Sequence, residues 1–220
     1  DAMAPGNHDY NYGSERLQEL SKELHFPVLS ANVVDRKTGK PLFAASKTFV
    51  LDGVRIAVFG LTTPETAYKA APQGVKDVKF IDAIDAAKKM VRQLRKNNDV
   101  VIALAHIGLD KSSVVTSDQL AAAVPGIDII IDGHSHTELP QGRLAGNTLI
   151  AQTGSCDHNL GRVDFVVKDH KIIGKTARLY NAEELKQLAP EPDAAVAQMI
   201  QDIKQSNDKL FDVVVANSKV

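Results

Sequence analysis

Two short runs of apolar residues constrain the fold of this chain more than any other feature. Residues 100–105 and 127–131 consist largely of Val, Ile, Leu and Ala, and runs of this length and composition are typical of strands buried on both faces of a sheet. A capping box at Thr116 and Gln119 predicts that a helix lies between these two strands. Another helix is predicted to begin at Asp82, because apolar residues recur there at helical spacing. Helices that alternate with buried strands predict an α/β fold, with layered mixed β-sheets and helices on the outside.

Turn residues add antiparallel strands to this arrangement. Asp52-Gly53 separates two strand-like segments and is a strong signal for a two-residue hairpin. Asp169-His170 separates a second such pair. The remaining predicted elements are a helix over residues 14–25, strands over 28–33, 48–51, 55–59, 148–151, 162–167 and 171–179, and a last helix that begins at Pro192.

Composition excludes several classes of protein. The 220 residues are 44% hydrophobic, which is enough for one substantial core. The formal net charge of −1 shows no excess of basic residues that would favour a nucleic acid, so we expect no nucleic-acid partner. No apolar run is long enough to span a bilayer, so we expect no transmembrane segment. A single cysteine, Cys156, excludes a disulfide framework and a zinc cluster of thiolates.

Polar side chains follow the predicted strands at the points where a ligand is usually bound. His106 comes directly after residues 100–105, and Gly133-His134-Ser135-His136 follows residues 127–131. Gly6-Asn7-His8-Asp9 places an amide and an imidazole on a similar glycine turn. Ligands of open α/β sheets bind beyond the carboxyl ends of the strands. We therefore expect these side chains to meet in one crevice, although each histidine taken alone is also consistent with a cap on a backbone carbonyl.

The chemistry of these side chains indicates a metal site. Imidazole nitrogens and a carboxamide oxygen suit first-row divalent ions, and two such ions about 3.5–4 Å apart can hold the attacking and leaving oxygens of a phosphoryl transfer. A pair of dications also needs carboxylates. Asp9 and Asp132 lie next to the histidines in the sequence, where they could supply negative charge or orient the rings from behind. The residues present therefore predict part of a two-metal site.

Several segments resemble the calcineurin-like metallophosphoesterases, in the form found in 5′-nucleotidases. The block Gly6-Asn7-His8-Asp9-Tyr10-Asn11-Tyr12-Gly13 carries the resemblance, and further matching segments follow in the same order as in that family. These segments are Ala31-Asn32, Gly60-Leu61-Thr62-Thr63-Pro64, Leu104-Ala105-His106-Ile107-Gly108, Asp132-Gly133-His134-Ser135-His136-Thr137 and residues 154–163. The resemblance covers essentially the whole chain and implies the layered metallophosphoesterase sandwich.

The resemblance also assigns roles to particular residues. It implies that Asn7, His106 and His134 bind one divalent ion and that His136 binds a second. It implies that His8 is the catalytic histidine, which stabilises charge on the phosphate and protonates the leaving oxygen. A hydroxide that bridges the two ions would attack phosphorus in line. The ions implied are two divalent ions drawn from Zn, Mn, Fe, Ni and Co, and their identity stays open.

Two departures from the family pattern modify this expectation. The family's first two motifs, an Asp-x-His and a Gly-Asp with the bridging aspartate, would lie before residue 1, and neither is present in this sequence. We therefore hypothesise that this chain alone is inactive or nearly so. Many relatives also carry an aspartate three residues after the catalytic histidine, where this chain has Asn11. An amide at that position can orient the ring of His8 but adds no charge.

The resemblance implies hydrolysis of nucleotide phosphomonoesters, with a nucleotide or another phosphoester as the substrate. Alternatives on the same scaffold are a 2′,3′-cyclic nucleotide phosphodiesterase, a nucleotide-sugar hydrolase and a relative of sulfur-oxidation enzymes, and a non-catalytic surface module is the alternative from another class. We expect residues 1–210 to form the catalytic domain and residues 211–220 to begin a linker or a C-terminal substrate-binding domain. The family also implies an extracytoplasmic location, in the periplasm, in the cell wall or outside the cell.

Overall fold

The computed structural model describes residues 1–214 and residue 216. These residues form ten β-strands, six α-helices and two short 3-10 helices. The strands are β1 (Val33–Asp35), β2 (Ser46–Leu51), β3 (Val54–Thr62), β4 (Val78–Phe80), β5 (Val100–His106), β6 (Ile129–Ile131), β7 (Arg143–Ala145), β8 (Thr148–Ala151), β9 (Asn159–Lys168) and β10 (Lys171–Asn181). The α-helices are α1 (Ser14–Glu23), α2 (Thr66–Lys69), α3 (Ala83–Leu94), α4 (Ser117–Ala123), α5 (Ala182–Leu188) and α6 (Ala194–Phe211), and the 3-10 helices are Asn7–Tyr10 and Pro72–Gly74.

A six-stranded mixed sheet carries the main core, with its strands in the order β2-β3-β5-β6-β8-β7. The four inner strands pair in parallel, and β2 and β7 are added antiparallel at the two edges. Two smaller sheets consist of β1 with β4 and of β9 with β10. This architecture confirms the predicted α/β fold with mixed sheets.

Side chains of the inner strands alternate between two cores. On β3, Phe59 and Leu61 lie in a core that also contains apolar residues of α3 and α4. Ile56 and Val58 of the same strand lie in a second core, against which Phe165 of β9 packs. Because both faces of the sheet are covered, nearly every position on an inner strand must be apolar. This is the physical reason that β5 is visible in the sequence as a continuous apolar run.

Both predicted hairpins turn at residues with a left-handed backbone. Asp52 and Gly53 have φ angles of 49° and 81°, and Asp169 and His170 have φ angles of 49° and 61°. Two successive residues with positive φ are typical of a type I′ turn, whose twist matches that of the strands it joins. The two hairpins are therefore confirmed, and their turn residues fix the pairing of β2 with β3 and of β9 with β10.

Side-chain caps begin the two helices that contribute to the first core. Before α3, Asp82 Oδ1 accepts a hydrogen bond from the Asp85 N–H at 2.7 Å. Before α4, Thr116 Oγ1 accepts one from the Gln119 N–H at 3.2 Å, and Gln119 Oε1 accepts one from the Thr116 N–H at 3.0 Å. These bonds satisfy N–H groups that have no partner inside the helix. The predicted capping box is thus confirmed.

The prediction of a strand over residues 28–33 is wrong. Val28 and Leu29 form only isolated bridges, and β1 begins at Val33, where it pairs with β4. Successive N–H groups of this segment have different partners, because Leu29 donates to Met3 O, Ser30 to Ala44 O and Ala31 to Gly60 O. A segment that changes partner at each residue cannot build a ladder, although its composition favours a strand.

The chain divides into two compact units, the second of which begins at Asn181. This second unit contains α5 and α6. The helix predicted from Pro192 is confirmed as α6, which begins at Ala194 after the cap residue Asp193. Asp193 Oδ1 accepts hydrogen bonds from two N–H groups of the first turn, each at 3.0 Å.

The predicted division into residues 1–210 and 211–220 stays a prediction. Helix α6 ends at Phe211, and residues 215 and 217–220 lie outside the described part of the chain. None of the helices that the structure describes is long and apolar enough to cross a membrane.

Gly60 of β3 has no room for a side chain, since a Cβ there would lie 1.8 Å from Leu29 O. We expect Gly60→Ala to lower the free energy of unfolding by about 1–3 kcal/mol or more, because the backbone of one segment must move. Urea unfolding followed by circular dichroism measures this change. The matched control is Gly174→Ala in β10, where nothing lies within 4 Å of the added Cβ, and we expect a change within about 0.5 kcal/mol. Equal stability of the two variants would contradict the close packing of β3 on this segment.

Candidate active site

Parallel register brings the C-terminal ends of β3, β5 and β6 to the same end of the sheet. Thr62 of β3 pairs with His106 of β5, and Leu104 of β5 pairs with Ile131 of β6. Parallel strands that share a register end at a common level. The segments that carry His106 and Gly133 therefore leave the sheet side by side.

Asn7 is the point at which the predicted residues meet. Its Oδ1 lies 2.9 Å from His106 Nε2 and 3.1 Å from His134 Nδ1. The centroids of the two rings are 5.0 Å apart in an edge-to-face arrangement. The Asn7 side chain belongs to the buried polar residues. Two histidine rings that are distant in the sequence thus converge on the amide oxygen of Asn7.

An open cavity of about 330 Å³ adjoins this point. It is lined by Asn7, His8, Lys69, His106, His134 and His136. His8 and His136 are exposed to solvent, whereas Asn7 is buried. The structure therefore brings together in one cavity five of the residues that the sequence analysis selected.

Asn11, the sixth selected residue, contacts the ring of His8. Its Nδ2 lies 3.1 Å from His8 Nδ1, and its Oδ1 accepts a hydrogen bond from the Ala71 N–H at 3.4 Å. The Ala71 contact decides which end of the amide faces the ring, so Asn11 Nδ2 donates to His8 Nδ1. In the neutral ring the proton then lies on Nε2.

Glycines in two of the motifs make room for the ring of His106. A Cβ at Gly6 would lie 2.8 Å from His106 Cε1, and a Cβ at Gly133 would lie 3.1 Å from His106 Nδ1. Burial of the ring, with smaller contributions from the neighbouring histidines, lowers the pKa of His106 to about 4. His106 is therefore neutral near pH 7, which is the form in which imidazole binds a metal ion.

The loop that carries His134 and His136 has a strained backbone. The φ angles of these two residues are 78° and 54°, in the left-handed region that disfavours residues with a side chain by about 1–2 kcal/mol each. Gln152, which is 1% exposed, accepts a hydrogen bond from the Thr137 N–H at 2.6 Å and donates one to Asp132 Oδ2 at 3.1 Å. This buried network holds the loop in its unfavourable conformation and so fixes the direction of both histidines.

Asp132 and Asp9 bind backbone groups. Asp132 Oδ1 accepts hydrogen bonds from the N–H groups of Ile107 and Gly108 at 3.1 Å and 3.0 Å, which joins the loop after β5 to the loop after β6. Burial raises the pKa of Asp132, and the hydrogen bonds oppose that rise. Asp9 Oδ2 accepts a hydrogen bond from the Gly6 N–H at 2.7 Å. These bonds place both carboxylates on backbone amides. The two roles expected from the sequence, supplying negative charge and orienting the histidine rings, stay predictions.

Glu65 is a residue of this region that the sequence analysis missed, as is Lys69. Glu65 Oε2 lies 3.2 Å from His134 Nε2 and 3.0 Å from Lys69 Nζ. Burial favours a higher pKa for Glu65, but hydrogen bonds from Lys69, Tyr68 and the Val114 N–H outweigh it and lower the pKa to about 2. Glu65 follows the C-terminal end of β3 as closely as the loop histidines follow their strands. The strand-end argument, applied to β3, would have found it.

The converging donors fit one divalent ion. Ligand atoms about 2.0–2.2 Å from a common first-row ion lie about 3 Å from one another, and Asn7 Oδ1 lies 2.9 Å and 3.1 Å from the two ring nitrogens. Among residues 1–214 and 216, no group of three or more histidine, cysteine, aspartate or glutamate side chains could hold a metal ion. The donor set therefore depends on the Asn7 amide together with His106 and His134, and these three ligands carry no negative charge.

Comparison with known proteins gives this site a family context. Residues 1–138 match the calcineurin-like phosphoesterase family. The chain is 27% identical to a 5′-nucleotidase of Vibrio cholerae, over 99% of this chain and 46% of that protein. It is 34% identical to a 2′,3′-cyclic-nucleotide 2′-phosphodiesterase/3′-nucleotidase of Yersinia enterocolitica, over 74% of this chain and 29% of that protein.

A solved structure shares the fold. The 5′-nucleotidase precursor of Thermus thermophilus superposes with a TM-score of 0.74 at 26% identity, over 100% of this chain and 45% of that chain. This chain thus spans less than half the length of the 5′-nucleotidases it matches. The family match covers more than half of the chain and includes the segments that carry Asn7, His106 and His134. The chain belongs to the calcineurin-like phosphoesterase family.

Proposed function

We propose that this chain contributes the asparagine–histidine part of the active site of an enzyme that hydrolyses nucleotide phosphomonoesters, in the manner of a 5′-nucleotidase. The observation that carries the proposal is the approach of His106 Nε2 and His134 Nδ1 to the single oxygen Asn7 Oδ1. The similarity to proteins named 5′-nucleotidase supports the choice of substrate.

In this proposal Asn7, His106 and His134 hold one divalent ion, and His136 contributes to a second. When bound, such ions neutralise charge on the phosphate oxygens and lower the pKa of a water that attacks phosphorus. Zn, Mn, Fe, Ni and Co all suit imidazole and amide ligands. The low pKa of His106 means that protons do not compete for its ring near pH 7.

His8 is proposed as the residue that contacts the phosphate. It is exposed and lines the cavity, and its contact with Asn11 leaves the proton of the neutral ring on Nε2. An N–H group in that position can donate a hydrogen bond to a phosphate oxygen. Transfer of a proton to the leaving oxygen starts from the imidazolium form of the ring and leaves it neutral. Asn11 is proposed as the residue that positions the ring.

The charge of the proposed ligands limits what this chain does alone. Asn7, His106 and His134 are neutral donors, so they leave the charge of a bound dication uncompensated. A pair of dications held close together requires carboxylates to reduce their mutual repulsion. We therefore propose that the 220-residue chain alone is inactive or nearly so.

Hydrolysis of 2′,3′-cyclic nucleotides is a second candidate. It is favoured by the 34% identity to the phosphodiesterase/3′-nucleotidase of Yersinia enterocolitica. Both reactions require a phosphorus centre at the same metal site, and they differ in the part of the ribose that must be held. We propose that a C-terminal domain of the complete protein makes that choice, and that the protein acts outside the cytoplasm.

The ligand assignment predicts the effect of removing Asn7. Asn7→Ala is expected to weaken the binding of Zn²⁺ or Co²⁺ by at least about tenfold, the lower end of the effect of changing even an indirect partner of a metal ligand. Isothermal titration calorimetry on the 220-residue chain measures the affinity. His25→Ala, which changes an exposed histidine near the end of α1, is the control and is expected to bind as the unsubstituted chain does. Equal affinities for all three proteins would contradict the assignment.

The packing of His106 predicts that a second variant, Gly6→Ala, also binds metal ions more weakly. In Gly6→Ala the new methyl group would lie 2.8 Å from the ring of His106, so the ring must leave its present position beside Asn7. We expect Zn²⁺ affinity to fall about tenfold or more, as for the loss of a ligand's correct orientation. Gly174→Ala, which adds a methyl group in open space, is the control. A Gly6→Ala chain that is folded and binds Zn²⁺ normally would contradict the role assigned to Gly6.

The function itself is tested by hydrolysis of 5′-AMP, 2′,3′-cyclic AMP and UDP-glucose in the presence of Mn²⁺, Co²⁺ or Zn²⁺, with inorganic phosphate and the nucleoside and nucleotide products separated by chromatography. We expect the complete protein encoded by the gene to release phosphate from 5′-AMP, and the 220-residue chain alone to show no metal-dependent turnover. Turnover by the chain alone would contradict its proposed inactivity. A complete protein that hydrolyses none of these substrates would contradict the proposed function.

A further inference from the structure

Glu65 contacts the side of His134 that faces away from the metal ligands. We infer that Glu65 is a positioning residue, which accepts the Nε2 proton of His134 and so leaves the Nδ1 lone pair directed at the point beside Asn7 Oδ1. The inference rests on the proposed function, because it assigns Glu65 a purpose in holding a divalent ion there.

The two nitrogens of His134 have different partners. Nδ1 lies 3.1 Å from Asn7 Oδ1, and Nε2 lies 3.2 Å from Glu65 Oε2. The side chains of His134 and Glu65 are 7% and 3% exposed, so water is largely excluded from their contact. A neutral imidazole carries one proton, and both of its nitrogens face acceptors here, because an amide oxygen and a carboxylate each accept. The anionic carboxylate is the stronger acceptor and favours the proton on Nε2. Histidines that bind metals commonly donate their other N–H to a carboxylate, which fixes both the tautomer and the orientation of the ring.

Glu65 is itself held by groups from three parts of the fold. Its Oε1 accepts hydrogen bonds from the Tyr68 hydroxyl at 2.9 Å and from the Val114 N–H at 3.3 Å. Its own N–H donates to Thr63 Oγ1 at 3.3 Å. These contacts occupy Oε1 and direct Oε2 towards His134. Glu65 therefore links the end of β3, helix α2 and the segment after β5 to one metal-ligand candidate.

Lys69 raises an alternative that must be weighed. Its Nζ lies 3.4 Å from His134 Nε2 and 3.0 Å from Glu65 Oε2. An ammonium group only donates, so a Lys69 hydrogen bond to Nε2 requires the opposite tautomer of His134. The shorter contact is the one to Glu65, and the Lys69 side chain is 40% exposed, so water can satisfy its remaining donors. The geometry therefore favours Glu65 as the partner of Nε2 and Lys69 as the partner of Glu65.

A second alternative is that Glu65 only joins α2 to the histidine loop and stabilises the fold. The two interpretations differ in what Glu65→Gln changes. A structural role would lower stability and leave the affinity of the folded protein for a metal ion unaltered. A positioning role changes the metal affinity and the protonated nitrogen of His134 in protein that is still folded.

The experiment combines Co²⁺ titration calorimetry with ¹⁵N NMR of the histidine rings in the metal-free 220-residue chain. We expect Glu65→Gln to weaken Co²⁺ binding about 10–100-fold. We expect Lys69→Met to bind Co²⁺ at least as tightly as the unsubstituted chain, because a like charge is removed from the cavity. In the unsubstituted chain the His134 signals, identified by their loss in His134→Ala, are expected to show the proton on Nε2.

The matched control removes another carboxylate that faces a histidine. Asp99 Oδ1 lies 2.9 Å from His170 Nδ1, and Asp99 precedes β5, whose other end carries His106. The two ends of β5 are about 20 Å apart at the usual rise of a strand. Asp99→Asn is therefore expected to leave Co²⁺ affinity unchanged, which separates a general effect of losing a carboxylate from the effect of losing Glu65.

Several results would overturn the inference. These are an unchanged Co²⁺ affinity in folded Glu65→Gln, an equal loss of affinity in Lys69→Met, and a His134 proton on Nδ1 in the unsubstituted chain. If Glu65→Gln does not fold, the NMR result on the unsubstituted chain decides. Co²⁺ binding that is insensitive to Asn7→Ala contradicts the proposed function instead, and this separates the failure of the two ideas.

Discussion

The parallel pairing of β3 with β5, and of β5 with β6, is the constraint on which the site depends. It sets Thr62 beside His106 and Leu104 beside Ile131, so that three loops leave the sheet at one edge. A slip of one residue in β5 would turn the His106 side chain to the opposite face of the sheet. Apolar cores on both faces oppose such a slip, because it would exchange the residues buried in each core. The packing that stabilises the sheet therefore also aims the ligand candidates.

Space, more than backbone conformation, explains the glycines that precede the polar residues of the two loops. Gly6 has a φ angle of −86°, which any residue can adopt, and yet a Cβ there would meet the His106 ring at 2.8 Å. Gly133 is restricted by the same ring. The residues whose backbone is left-handed are the neighbouring His134 and His136. In the loop after β6, the strained backbone is therefore at His134 and His136, and the glycine, Gly133, is at the position that faces the ring of His106.

Local signals in the sequence predicted much of the fold, because each depends on residues that are close along the chain. The helix start at Asp82, the capping box at Thr116 and the apolar run of β5 are of this kind, and all three are confirmed. The segment 28–33 has the composition of a strand, but its partners are set by three distant parts of the chain. Glu65 is a different case, because the sequence locates it after β3 but does not identify its partner. Its position after β3 is visible in the sequence, whereas its contact with a histidine 69 positions away exists only in the folded chain.

The carboxylates of this region contact the loops and rings that carry the proposed metal ligands, and the ligands themselves, Asn7, His106 and His134, are neutral. Asp132 accepts hydrogen bonds from backbone N–H groups. Glu65 accepts hydrogen bonds from the Tyr68 hydroxyl and the Val114 N–H, and it faces His134. A buried carboxylate is unfavourable unless donors surround it, and each of these two has such donors. Folding of the site therefore does not depend on a cation to neutralise buried charge. In this arrangement the carboxylates influence a bound cation indirectly, because Asp132 holds the loop that follows His106 and Glu65 contacts the ring of His134. The Asn7 oxygen and two neutral imidazoles then define the position of an ion, and the compensation of its charge falls to groups beyond these three ligands.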